Sequence, residues 1–137
     1  MTTPADELRA AITTLRSLAN AATDDAGNSH WSASRHFPNQ PDATYTTLWA
    51  TGAKPLIHGG GGRGRPPAYV SAPVGDYIAA MDPTVGMALA VLLEGVLSSN
   101  QNGAPAHEQC EAWCSPDTCD LSAALAVARA INTGGQP

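Results

Sequence analysis

A run of glycines flanked by arginines is the part of this sequence most suited to chemistry. Residues 54–70 read KPLIHGGGGRGRPPAYV, with four successive glycines followed by Arg63, Gly64 and Arg65. Glycine adopts positive φ angles without steric cost, so successive backbone N–H groups in such a run can converge on one anion. Arginine adds planar, bidentate donors that match phosphate or carboxylate. The pattern therefore predicts an anion-binding loop.

The charge distribution favours the same region. The 137 residues carry a net charge of −5, which argues against general nucleic-acid binding. Residues 26–75, however, contain four basic residues and one acid, a local charge of +3. Such a basic island favours a small anionic ligand or an acidic partner. The residues predicted to bind the ligand are Gly60, Gly61, Gly62, Arg63, Arg65, Lys54, Arg35 and His58.

The glycine run does not match a known nucleotide motif. A formal G-x-G-x-x-G occurs at Gly59, Gly61 and Gly64, but a dinucleotide fold needs a helix to begin there. The following Pro66-Pro67 indicates extended chain instead. No Gly-Lys-Ser/Thr follows, which excludes a P-loop. A flexible hairpin tip that binds nothing is the alternative, because glycine runs are often linkers.

A second cluster has the residue types of a metal site. His107, Cys110, Cys114 and Cys119 form H-x2-C-x3-C-x4-C, and an imidazole with three thiolates is a suitable ligand set for zinc. The spacing matches none of the paired-cysteine signatures. Two alternatives remain open, namely core packing of the cysteines beside Trp113 and a Cys114–Cys119 disulfide. No other cofactor is predicted.

The histidines of the basic island are the candidates for acid–base catalysis. His36 lies beside Arg35, and His58 lies beside the glycine loop, so either is placed to act as a general base. The sequence has no nucleophile elbow, no His-Glu-x-x-His and no spaced aspartate pair. We therefore predict no catalytic residue, and a small hydrolase remains an alternative.

Periodicity and turn signals predict an α+β fold. A helix capped by Thr3 opens the chain, with an apolar stripe from Leu8 to Ala22, and a turn over residues 24–29 is expected to end it. A small antiparallel β-meander of three or four strands is predicted over about residues 30–71, packed on three to four α-helices. The predicted strands include KPLIH after a Gly52-Ala53 turn and AYVS after the glycine loop. Residues 1–137 are predicted to form a single domain.

The predicted helix over residues 85–97 is apolar on almost every side. We expect it to be the most buried helix or a subunit interface. The excess of apolar helix surface also predicts a homo-oligomer. Asp82 is expected to cap this helix, with Pro83 in its first turn.

The segment of residues 64–94 resembles short uncharacterised proteins of actinobacteria and their phages. The shared pattern is Asp-Tyr-Ile-Ala-Ala-x-x-Pro, followed by a helix rich in alanine and leucine, and Asp76, Tyr77 and Pro83 carry it here. Similar helix pairs occur in accessory early proteins of temperate phages. The resemblance implies a phage or mobile-element origin and implies no chemistry; the loop arginines and the cysteines lie outside it.

Three classes of function follow. The first is a non-enzymatic accessory protein that binds or sequesters a small phosphorylated, nucleotide-like ligand through the Gly/Arg loop. The second is a protein-interaction module that inhibits a host protein, and the third is the small hydrolase. With no apolar run of about 20 residues and no secretory signal, we expect a cytoplasmic protein without membrane partners.

Overall fold

The computed structural model describes residues 2–36, 44–50, 55–65, 67–101 and 119–134. These residues form four helices and a three-stranded antiparallel sheet, which confirms the predicted α+β class. The helices are α1 (Pro4–Ala26), α2 (Ala72–Ala80), α3 (Pro83–Gln101) and α4 (Asp120–Asn132), and the strands are β1 (Trp31–Arg35), β2 (Tyr45–Ala50) and β3 (Val70–Ser71).

The chain divides into two compact units. One unit, Ala19–Gly86, contains the sheet and is called the sheet unit here. The other combines Met1–Leu18 with Met87–Pro137 and is called the helical unit. Both boundaries fall inside helices, one within α1 and one within α3.

Helix α1 begins where the sequence predicts and extends to Ala26, into the predicted turn. The Thr3 hydroxyl accepts a hydrogen bond from the Asp6 backbone N–H at 3.1 Å, and an Asp6 carboxylate oxygen accepts one from the Thr3 N–H at 3.2 Å. This reciprocal pair satisfies two of the free donors at the helix start. At the other end, Gly27 has φ 80° and its N–H reaches the Thr23 carbonyl at 2.8 Å, as expected of a C-terminal glycine.

A small, alanine-rich core holds the helical unit together. Leu8 and Leu93 are completely buried within it, and alanines from each of the three helices fill the space between the larger side chains. Small residues at these positions allow the helices to pack closely. The buried members are Leu8, Ala11, Ile12, Ala90, Leu93, Leu97, Cys119, Leu121, Ala124 and Ala128.

The prediction that residues 85–97 form the most buried helix is wrong for the single chain. Only one stripe of α3 lies in the core, at Ala90, Leu93 and Leu97, whereas Val91 and Leu92 are 61% and 62% exposed. A helix that is apolar on every side does not thereby determine how many other elements pack against it. Here the core covers only one side of α3. Because the other side of α3 is exposed and apolar, the predicted homo-oligomer remains a proposal.

Helix α3 also has the length and composition of a membrane span. Its window Pro83–Asn100 has a mean hydropathy of 1.2, and 22% of it is buried. Length and composition alone are weak evidence for a membrane span, because the core helix of a soluble protein passes the same test, and α3 contributes three buried residues to the core. A cytoplasmic location stays a prediction.

An ion pair across the helical unit links α1 to α4. The Arg129 guanidinium donates to both carboxylate oxygens of Glu7, from Nε at 2.7 Å and from Nη2 at 3.3 Å. This pairing lowers the pKa of Glu7 below its ordinary 4.5 and raises that of Arg129. The Thr3 hydroxyl and N–H likewise lower the pKa of Asp6 below 3.8.

These shifts predict how acid affects stability. A carboxyl whose folded pKa lies below its unfolded pKa stabilises the fold above the unfolded value, and that stabilisation disappears as the pH falls through the folded value. We expect Glu7→Gln to lower the unfolding temperature at pH 7, and this loss to shrink as the pH falls through the lowered folded pKa of Glu7, because the wild-type carboxyl then becomes protonated as well. Thermal unfolding by circular dichroism across this pH range measures the loss; a loss that does not change with pH would contradict the ion-pair explanation.

The sheet has the order β1-β2-β3, with β2 in the centre. β1 pairs with β2 in a register from Trp31 opposite Ala50 to Arg35 opposite Thr46, and β3 pairs Val70 with Thr46. Of the predicted AYVS strand, Val70–Ser71 is confirmed. Of the predicted KPLIH strand, Lys54 lies outside the described residues, and the pairing with β2 is limited to the Pro55 bridge to Trp49 and the hydrogen bond from the Leu56 N–H to the Leu48 carbonyl.

The two sides of the sheet have different surroundings. Thr46, Leu48 and Ala50 are buried on the side that packs against α2. The other side, called the open face here, carries the residues that alternate with them. It consists of Ser32, Ser34, His36, Tyr45, Thr47, Trp49, Tyr69 and Ser71, and five of these are exposed. One face of the sheet is therefore covered by a helix, and the other is partly open.

Asp82 ties the start of α3 to the start of β1. Its buried carboxylate accepts the backbone N–H of Val85 at 3.1 Å, which confirms the predicted cap, and that of Trp31 at 3.2 Å. The His30 ring nitrogen lies 3.8 Å away. The same carboxylate therefore caps a helix and fixes the first residue of a strand.

Candidate functional site

The glycine loop interrupts a strand that runs along one edge of β2. Leu56 donates its N–H to the Leu48 carbonyl at 2.9 Å, and Val70 pairs with Thr46 on the same edge. The chain between them leaves β2 and returns a short distance along it. The loop is therefore held at both ends by one central strand.

The loop closes on itself near its base. Gly60 bridges Pro67, and the Ala68 N–H donates to the Gly59 carbonyl at 3.3 Å. At the tip, the Arg65 N–H donates to the Gly62 carbonyl at 3.1 Å, which forms a turn. These bonds make the loop a short hairpin rather than an open linker.

The glycines are required by the backbone of this hairpin. Gly59, Gly60, Gly61 and Gly62 all have positive φ, between 65° and 102°, and Gly64 has φ 75°. Non-glycine residues rarely adopt this conformation. A nest of converging N–H groups needs successive residues of opposite handedness, which the run Gly59–Gly62 lacks. The predicted backbone cradle is therefore a weaker candidate than the arginines at the tip.

Arg63 and Arg65 differ from the other arginines. Both are exposed at the hairpin tip, and among the described residues neither has a carboxylate within 4.0 Å. Each of the remaining arginines has one. Those pairs are Arg9 with Asp6, Arg16 with Glu94, Arg35 with Asp76 and Arg129 with Glu7.

The structure brings only part of the predicted site together. Arg35 pairs with Asp76 of α2 at 3.8 Å, and its register with Thr46 places it on the α2 side of the sheet. His58 is exposed beside the loop base, where it lines a cavity of about 20 Å³ with Asp25 and Leu56. That volume holds a single water molecule. Lys54 lies outside the described residues.

The predicted zinc site falls largely outside the described residues, which omit His107, Cys110 and Cys114. The fourth residue, Cys119, is buried in the core of the helical unit beside the first turn of α4. Within the described ranges, no three histidine, cysteine or acidic side chains come together as a metal site. Zinc binding stays a prediction.

An aromatic cluster on the open face was missed from the sequence. Tyr69 follows the loop directly, and its ring packs edge-on against Tyr45, with centroids 4.9 Å apart, and against His36, at 5.9 Å. The His36 ring in turn hydrogen-bonds the buried Thr47 hydroxyl. His36 is thus bonded to a hydroxyl group, which is the commoner arrangement for a histidine in a strand. The alternation of Tyr45, Thr47 and Trp49 was the signal that could have located the cluster.

A wider cleft of about 800 Å³ lies in the helical unit, beside α1 and the end of α4. The Glu7–Arg129 ion pair lines it together with apolar residues such as Leu18 and Ile131. None of the residues predicted to bind an anion or a metal lies along it. We therefore take the glycine hairpin as the candidate site.

Comparison with protein-family models, with curated proteins and with solved structures gave no match for this chain. The resemblance to proteins of actinobacteria and their phages accordingly stays a prediction.

Proposed function

We propose that this protein binds an oxyanion, of the phosphoryl class, through Arg63 and Arg65 at the tip of the glycine hairpin. The observation that carries the proposal is the absence of any carboxylate partner for these two guanidinium groups among the described residues. In a protein of net charge −5, acids are plentiful, and the other arginines are paired. Two exposed guanidinium groups two residues apart supply charge-assisted, bidentate donors for phosphate.

The hairpin gives Arg63 and Arg65 a folded support. Its base is closed by the Gly60–Pro67 bridge and its tip by the Arg65–Gly62 bond, so the two arginines are carried by a folded turn. A partly ordered turn loses less conformational entropy on binding than an open linker does. The turn depends on its glycines, because other residues rarely adopt the positive φ angles that it contains.

An acidic protein partner is the second candidate. The cavity of about 20 Å³ beside the hairpin base is too small for a ligand, whereas small-molecule pockets are typically several hundred Å³. An exposed hairpin with uncompensated charge is equally suited to a carboxylate-rich protein surface. Binding of tripolyphosphate by the isolated protein would favour the oxyanion ligand over this partner.

The first test replaces Arg63 and Arg65 together with alanine. We expect tripolyphosphate binding, measured by isothermal titration calorimetry at low salt, to weaken by about 2–4 kcal/mol, because two charge-assisted contacts are lost. The matched control is Arg9→Ala, which removes an exposed arginine that already has an acidic partner. The control should leave binding unchanged, and circular dichroism should show an unaltered fold for both.

The proposal is contradicted if replacing both arginines leaves tripolyphosphate binding unchanged. If wild-type protein binds tripolyphosphate and R63A/R65A binds it equally, the loop is not the site. If wild-type protein binds no phosphate compound but captures a carboxylate-rich protein through these arginines, the second candidate replaces the first.

A further inference from the structure

The open face beside the hairpin carries two half-exposed tyrosines that the oxyanion site does not use. Tyr45 is 51% exposed and Tyr69 50% exposed, and their rings are 4.9 Å apart at an interplanar angle of 62°. The pair belongs to the folded sheet, because Tyr45 is in β2 and Tyr69 immediately precedes β3. Aromatic side chains held on a strand surface in this way are suited to stacking against a planar ring.

We infer that Tyr69 stacks against the base of a nucleotide whose phosphates bind Arg63 and Arg65, and that Tyr45, whose ring lies at 62° to that of Tyr69, contacts the edge of the same base. The inference rests on the proposed oxyanion site and extends it to a second, chemically different half. Stacking recognises the aromatic ring system, and the guanidinium groups recognise the phosphates. A free nucleotide has both features in one small molecule.

The two halves of the site are near each other along the chain. Tyr69 is four residues from Arg65, so their Cα atoms lie within about 14 Å even if the chain between them is fully extended. An arginine side chain reaches several ångströms from its own Cα. From base to terminal phosphate, a nucleoside triphosphate spans a distance comparable to this Cα–Cα separation. The hairpin and the tyrosine pair can therefore contact one nucleotide.

The backbone also aims the tyrosine away from the covered side of the sheet. Val70, the next residue, lies against α2, close to Gly75. Since successive strand residues face opposite sides, Tyr69 belongs to the open face with Tyr45 and His36. The Tyr69 ring also makes a T-shaped contact with His36, at an interplanar angle of 72°.

Charge favours a free nucleotide over a nucleic-acid strand. A strand binds through several phosphates and needs a basic groove that follows its backbone. This protein has a net charge of −5, and in the described ranges two arginines are without an acidic partner. Two cations match the phosphates of a single nucleotide.

The test compares nucleotides with a phosphate chain that lacks a base. Wild-type protein is titrated with ATP, GTP, CTP and UTP, and separately with tripolyphosphate. We expect at least one nucleotide to bind more tightly than tripolyphosphate. Tyr69→Leu should lower the affinity for that nucleotide by about 5-fold to 150-fold, the range of one stacking contact. The same variant should bind tripolyphosphate as wild-type protein does.

Three further variants separate stacking from folding. Tyr77→Leu is the matched control, because Tyr77 is an exposed tyrosine of α2 in the same unit, 69% exposed and outside the cluster. It should leave nucleotide binding unchanged. Tyr69→Phe keeps the ring and should keep the affinity within about 2-fold, since the face of the ring is retained. Tyr45→Leu should weaken nucleotide binding in the same direction as Tyr69→Leu.

The outcomes distinguish the two ideas. Equal affinity for nucleotides and tripolyphosphate, with no effect of Tyr69→Leu, overturns the stacking site and leaves the oxyanion site standing. No binding of either compound overturns both. Tighter binding of an oligonucleotide of about six bases than of any free nucleotide, with a steep salt dependence, would replace the free nucleotide by a strand.

Discussion

Gly75→Ala is expected to destabilise the sheet unit by about 2–3 kcal/mol, because an added methyl group has no room between α2 and the sheet. A Cβ built on Gly75 would lie 1.9 Å from the Thr46 hydroxyl oxygen and 3.1 Å from a Val70 methyl group. Thr46 is completely buried and β-branched, so its side chain has few other rotamers to adopt. The helix and the sheet must therefore move apart.

Urea unfolding followed by circular dichroism measures this loss, and Gly95→Ala is its control. Gly95 lies in the interior of α3, and a Cβ there meets nothing within 4 Å. Its replacement should stabilise the protein by about 0.5–1 kcal/mol, because alanine loses less backbone entropy than glycine. Adding Thr46→Ala to Gly75→Ala should recover part of the loss. Gly75→Ala with wild-type stability would show that α2 does not pack against Thr46 as described.

Asp82→Ala is expected to cost about 2–4 kcal/mol, since one side chain serves two backbone donors. The substitution removes the cap of α3 at Val85 and leaves the Trp31 N–H without its acceptor. Asp82 is buried, so water does not simply take over both bonds. A loss at this position should affect the start of β1 as well as α3.

The comparison with Asp82→Asn shows which of the two bonds matters more. Asparagine keeps one side-chain oxygen, which is enough for the cap, and places an amide nitrogen where the second oxygen was. We expect about half of the alanine loss, with the Trp31 amide as the remaining unpaired donor. Hydrogen exchange read at Trp31 and Val85 checks this; unchanged protection of both amides in Asp82→Ala would contradict the double role.

Local signals predicted the helices well. The caps of α1 at Thr3 and of α3 at Asp82 depend on a few neighbouring residues, and both are found in the structure, whereas α1 runs on to Ala26 within the predicted turn. The burial of α3 depends instead on which other elements meet it. Its sequence is apolar on every side, but Val91 and Leu92 stay exposed because the core meets the opposite stripe.

The candidate site was only partly predictable, for a similar reason. The glycines and arginines of the loop are neighbours in sequence, and composition alone indicated them. The separation of Arg35 from the loop and the meeting of Tyr45, Tyr69 and His36 depend on strand register, which is set by long-range pairing. The KPLIH segment pairs with β2 only briefly, at Pro55 and Leu56, because the proline donates no ladder hydrogen bond and the glycine hairpin begins shortly after.

The interrupted strand at the edge of β2 has a consequence for how this protein can change over evolutionary time. Leu56 and Val70 hold the two ends of the hairpin on the same strand, two positions apart at Leu48 and Thr46. Residues can be inserted, deleted or exchanged between these anchors without shifting the pairing on either side. Loop length has only a shallow entropic cost once both ends are fixed. The segment between Leu56 and Val70 can therefore change in length and sequence while the sheet that carries it stays the same.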